Sequence, residues 1–123
     1  MSSAEQAAKH LIFLGYTPAE DRPFYLRHER YPNIRLADKA QGVLVTGWFG
    51  AEGDHADLVS YTNELNQRAM LSRFVIDTDG DFAMEGWYAG PYDKSSFASF
   101  MDVWHNDWVS VVLPNEKTRA LLK

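Results

Sequence analysis

Residues 54–88 read DHADLVSYTNELNQRAMLSRFVIDTDGDFAMEGWY, an amphipathic helix that runs straight into a hairpin. Asp54 is placed to cap the helix start, and Asp57 adds negative charge where the helix dipole favours it. Leu58, Thr62, Leu65 and Ala69 recur on one face with Tyr61 at its border, which predicts a helix over His55–Arg68. Strands follow at Arg73–Asp77 and Asp81–Tyr88, joined by Thr78-Asp79-Gly80. A two-residue Asp79-Gly80 loop would pair Asp77 with Phe82 and mix polar with apolar residues on both faces. A three-residue loop with Gly80 in the left-handed conformation pairs Ile76 with Phe82 and Phe74 with Met84. Phe74, Ile76, Phe82, Met84 and Tyr88 then share the buried face, and Arg73 meets Glu85 on the other.

Upstream, Met1–Leu14 predicts a first helix with a Ser2–Glu5 capping box, stopped by Gly15. Phe24–His28, Ile34–Ala37 and Val43–Trp48 are short strand-forming runs separated by Tyr31-Pro32-Asn33 and by Lys39-Ala40-Gln41-Gly42. Downstream, Phe97, Phe100, Met101, Trp104, Trp108, Val111 and Val112 mark one face of a helix over Lys94–Leu113, capped by Asp93 and ended by Pro114. Such a stripe requires an apolar partner surface, and a face of the sheet supplies it. The expectation is one α+β domain over residues 1–123 in the order α-β-β-β-α-β-β-α. Its boundaries are a helix to 15, three strands over 22–49, a helix over 54–69, a hairpin over 73–88, a helix over 93–113 and a tail over 114–123. The five strands form one antiparallel sheet.

Composition narrows the function. A chain of 123 residues with 4 Trp, 6 Tyr and 7 Phe can bury a substantial core. A formal charge of −5 disfavours a general nucleic-acid binder or an anionic membrane surface. Without cysteine there is no disulfide framework and no thiolate ligand or nucleophile. No apolar run is long enough to span a membrane, and the N-terminal segment lacks signal-peptide character, so a cytoplasmic protein is expected.

Leu11-x-x-Leu14-Gly15-Tyr16, Asn63-Glu64-Leu65-Asn66 and Arg73-Phe74-x-Ile76-Asp77-x-Asp79-Gly80, in this order of elements, resemble the YbjN-type bacterial sensory transduction regulators. The resemblance runs from about Leu11 to Trp104, with a final helix heavier in tryptophan. It implies a fold similar to that of the type III secretion chaperones, compact α+β domains that often dimerise and work by binding another protein. It carries no catalytic residues.

The residues themselves point to no reaction. Asp77-Thr78-Asp79-Gly80-Asp81 has its glycine fourth and lacks the glutamate that closes a calcium loop, so it reads as a solvated turn. His10, His28, His55 and His105 show no metal-ligand spacing. No serine sits in a nucleophile elbow, no glycine-rich phosphate loop is present, and Glu52, Asp54 and Asp57 are explained by capping. No cofactor or metal is expected.

Candidate protein-binding residues are Trp48 and Trp87, placed on the sheet face away from Phe82 and Met84, unless the second helix covers that face. Asn63 and Asn66, three apart on the second helix, either tie its end to nearby backbone or form a polar dimer seam. The expectation is a non-enzymatic protein-binding regulator or chaperone-like adaptor, acting as a homodimer with an unidentified protein partner. The alternative is a small-ligand sensor with a pocket between the sheet and the last helix.

Overall fold

The computed structural model describes residues 1–123. Its organising element is a six-stranded antiparallel sheet in the order β1-β2-β3-β4-β6-β5, from strands β1 (Thr17–Ala19), β2 (Arg22–Arg27), β3 (Ile34–Lys39), β4 (Gly42–Phe49), β5 (Arg73–Ile76) and β6 (Phe82–Tyr88). The α+β class and the antiparallel pairing are as expected from the sequence. The sixth strand, β1, is an addition. It is short, contains Pro18 and lies at the edge, where a residue without an N–H is tolerated.

The hairpin keeps the three-residue loop. Arg73 pairs with Glu85, Phe74 with Met84 and Ile76 with Phe82, while Gly80 takes a φ of 86°. The β3–β4 turn is less conventional. Ala40 and Gln41 both adopt left-handed backbone, with φ of 49° and 64°, where Asn-Gly would be the ordinary choice.

Three helices, α1 (Ser3–Phe13), α2 (His55–Arg68) and α3 (Lys94–Asp107), lie on one face of the sheet and share one core with it. The Ser2–Glu5 capping box starts α1, and its alanines Ala4, Ala7 and Ala8 permit close approach to the strands. Asp54 stands at the start of α2 in extended conformation but makes no capping hydrogen bond. Asp93 does cap α3, accepting from the Ser96 N–H.

Most of the predicted stripe of α3 is buried: Phe97, Met101, Trp104 and Val112 are inaccessible and Trp108 nearly so, while Phe100 and Val111 are half-buried at its margin. Over Trp108–Val112 the helix widens into a π-helical turn, with the Leu113 N–H bonded to the Trp108 carbonyl. The Trp108 ring there stacks on Phe49 at 5.0 Å. A last short helix, α4 (Thr118–Leu121), leads into a tail that pairs with the loop after β4, through Ala51 and Leu122.

The interface between sheet and last helix is filled. A Cβ added to Gly47 would lie 2.9 Å from Pro32 and 3.0 Å from Trp104, and one added to Gly86 would lie 3.0 Å from both Phe100 and Trp104. Around these two glycines the space expected to hold a small ligand is taken by Pro32, Phe100 and Trp104. No helix is long and apolar enough to cross a membrane.

Candidate functional site

With all three long helices on one side, the second face of the sheet is left open. Strand pairing fixes what it displays. One row carries Tyr25, Arg35, Thr46, Glu85 and Arg73, the next carries Trp48, Ala83 and Val75, and a third carries Ala37, Leu44 and Trp87. Trp48 and Trp87 therefore share this face, and α2 does not cover them. They are not a pair: Trp87 stands beside Leu44, four residues along β4 from Trp48, which is about 13 Å at ~3.3 Å per residue.

The two tryptophans also differ in what they touch. Trp87 is 47% exposed, yet its indole N–H donates to the Lys39 carbonyl at 2.9 Å and its ring lies against Gly42. It anchors the β3–β4 turn. Trp48 is half-buried in a T-shaped contact with Tyr25, centroids 5.5 Å apart, and the Arg22 guanidinium sits 5.2 Å above the same Tyr25 ring. Neither Tyr25 nor the arginines were singled out from the sequence.

Around Trp48 and Tyr25 the face forms a groove of about 760 Å³, floored by these rings with Thr46, Val75 and Ala83. That lies within the ~300–1,000 Å³ of ordinary binding pockets. One wall carries Arg22, Arg27 and Arg35 with Asp21 beside them, and the other is acidic (Asp77, Asp79, Asp81, Glu85). Glu85 is paired with Arg73 at 2.6 Å, whereas Arg22, Arg27 and Arg35 make no ion pair. The Asp77 carboxylate accepts from the N–H groups of Asp79 and Asp81, both at 2.9 Å, and holds the turn. No group of three acidic or histidine side chains is placed to hold a metal.

The two asparagines separate in role. The Asn66 amide donates to the Phe74 carbonyl and accepts from the Phe74 N–H, each at 2.8 Å, and so occupies the free edge of β5. Asn63 is exposed on the outer side of α2, in a shallow depression with His55, Val59 and Gln67.

Two polar clusters lie away from the groove. Asp107, fully buried, accepts from the backbone N–H groups of Met70, Leu71 and Ser72 at 2.8–3.0 Å and fixes the α2–β5 link. Tyr16 and His105 share a 2.6 Å hydrogen bond, with Tyr31 stacked on His105 at 4.0 Å and His28 alongside. Burial, with His28 nearby, pushes the His105 pKa down to about 4, and burial raises that of Tyr16.

The structure is similar to the crystal structure of YbjN, a candidate transcription regulator from E. coli, with a TM-score of 0.73 over 97% of this chain and 94% of that one. The fold is YbjN-like. At 13% identity the likeness is one of fold alone. No family model matches the chain, and no curated protein matches it in sequence. On this YbjN-like frame, chemistry specific to the chain must be sought in its own side chains, and the groove gathers aromatic, basic and acidic ones on the open face.

Proposed function

We propose that the chain is a non-enzymatic, protein-binding regulator or chaperone-like adaptor of bacterial signalling in the cytoplasm, and that it docks its partner on the open face of the sheet. The observation that carries this reading is the groove around Trp48 and Tyr25. It is uncovered, has an aromatic floor and is walled by charges of both signs. Partly exposed aromatics ringed by polar groups are the usual anatomy of a protein contact. The non-enzymatic part is supported by two close histidine–tyrosine pairs, Tyr16–His105 and His10–Tyr92, in each of which burial lowers the histidine and raises the tyrosine. A His105 held near pH 4 and a Tyr16 raised above its usual range are both moved away from neutral pH, where proton transfer is efficient.

Homodimerisation is part of the proposal, with a changed contact. Asn66 already occupies the β5 edge, so the dimer uses the outer side of α2 around Val59 and Asn63 rather than an edge strand. Light scattering over a wide concentration range tests this, and a monomeric mass at high micromolar concentration rejects it.

Docking is tested by placing a photo-crosslinking amino acid at position 48 and, separately, at the exposed helix position 103, in the native host. A protein captured from position 48 but not from 103, and lost when Tyr25 is replaced by alanine, supports the reading. Equal capture from both positions rejects it.

A further inference from the structure

We infer that the occupant of the groove is an amphipathic α-helix of another protein, with an apolar stripe flanked by acidic residues on one side and basic residues on the other. This rests on the protein-binding reading of the open face and adds the shape and chemistry of the partner.

Backbone hydrogen bonding sets the shape. A bound extended segment normally pairs its own N–H and C=O groups with a sheet edge. Neither edge offers it a run of free groups: Asn66 takes both polar groups of Phe74 on the four-residue β5, and β1 is three residues long with Pro18 at its centre. On the face of a sheet the strand N–H and C=O groups lie in the plane of the sheet and do not point outward, so an extended segment laid there would leave its own groups unsatisfied. A helix satisfies its backbone internally and needs only side-chain contact, which is why helices cover sheet faces. The same sheet already accepts three helices on its other side. A second copy of the chain, apposed face to face, would leave two concave grooves mouth to mouth and fill neither.

The walls set the width. The arginines are on β2 and β3 and the carboxylates on β6 and in the β5–β6 turn, two to four strands away. At ~4.8 Å per strand this is about 10–19 Å, which accommodates a helix about 10–12 Å across.

Charge sets the sequence pattern. Arg27 and Arg35 lack ion pairs, and so do Asp79 and Asp81 across the groove. A helix with carboxylates along one flank and ammonium or guanidinium groups along the other satisfies both walls while its apolar stripe meets Trp48 and Tyr25. A single nucleic-acid strand would stack on the same rings and engage the arginines, but its phosphates would face Asp79, Asp81 and Glu85.

The test uses the full chain and labelled 20-residue helical peptides in fluorescence anisotropy. All peptides carry the same leucine stripe. One has a glutamate flank and a lysine flank, a second has two glutamate flanks, and a third has two lysine flanks. An oligo-dT strand is a fourth probe. The mixed-flank peptide is expected to bind roughly fivefold or more tighter than either single-sign peptide, and Trp48→Ala is expected to weaken it about tenfold or more. The double variant Arg27→Glu/Arg35→Glu, which leaves Arg22 as the one basic side chain of its wall, is expected to prefer the two-lysine peptide, with unchanged circular dichroism confirming its fold. Equal affinity for all three peptides, an unchanged preference in the double variant, or tighter binding of oligo-dT would overturn the inference. Peptide failure with position-48 crosslinking intact removes the helix and keeps the docking face; loss of both removes the docking face as well.

Discussion

Asn66 does for β5 what a neighbouring strand would do, giving one donor and one acceptor to Phe74. Its replacement by alanine is expected to cost about 1–2 kcal/mol in urea unfolding and to raise aggregation, because the edge is then free to pair with another chain. Asp107 has a larger task. In Asp107→Ala three N–H groups between α2 and β5 lose their acceptor, and a loss on the order of 3 kcal/mol is expected in the same measurement. His105 governs the acid response. Its folded pKa of about 4 lies below the ordinary 6.5, so between those values the unfolded chain takes up a proton that the folded chain refuses. Stability therefore falls as pH drops from about 6.5 to about 4 and gains no further loss from this residue below that. His10, lowered by burial and by Lys94, acts in the same direction. For His105 the total is at most about 3 kcal/mol before solvent screening of the half-buried ring reduces it. Urea midpoints measured against pH for the parent and His105→Gln check this; parallel curves across that window would show that His105 is not responsible.

Among the elements, those with an internal period were legible in advance. Alternation of Phe74, Ile76, Phe82 and Met84 set the hairpin register, and the 3.6-residue period from Phe97 to Val112 set the last helix. The same period-two reasoning put Trp48 and Trp87 on one face, but the distance between them depended on the β4–β6 register, which no local pattern carries. For the same reason the basic wall was not legible: Arg22, Arg27 and Arg35 come together only when β2 pairs with β3. β1 was hidden by its length and its proline, and the buried role of Asp107 by its place among the polar residues of α3. The Lys39–Gly42 turn was legible in advance, but the left-handed backbone of Ala40 and Gln41 was not, because neither residue favours it. Gln41→Gly is accordingly expected to stabilise the hairpin by about 0.5–1 kcal/mol, the relief of left-handed strain being partly offset by the extra freedom of glycine when unfolded. A raised thermal midpoint in calorimetry checks it, and a lowered one would mean that the Gln41 side chain contributes more than its backbone costs.

At the scale of the whole molecule, one sheet has two faces with different duties. The helix-covered face is packed so closely that Gly47 and Gly86 leave no room for a methyl group beside Trp104. The open face carries a large ring, Trp48, that packs on Tyr25 and is half-buried in the groove. Equal substitutions on the two faces should therefore separate stability from binding. Trp104→Ala removes a fully buried indole and is expected to cost about 3–5 kcal/mol. Its indole N–H has no acceptor, so none of that loss comes from a hydrogen bond. Trp48→Ala, on a face with no overlying layer, is expected to cost less than about 1.5 kcal/mol while weakening the mixed-flank peptide about tenfold or more. Urea unfolding of both variants beside peptide anisotropy gives the comparison. If Trp48→Ala destabilises as much as Trp104→Ala, the open-face ring is a packing residue, and weaker peptide binding would then report unfolding rather than a lost contact. If its stability is retained and the peptide is weakened, the uncovered side of the sheet is the binding surface.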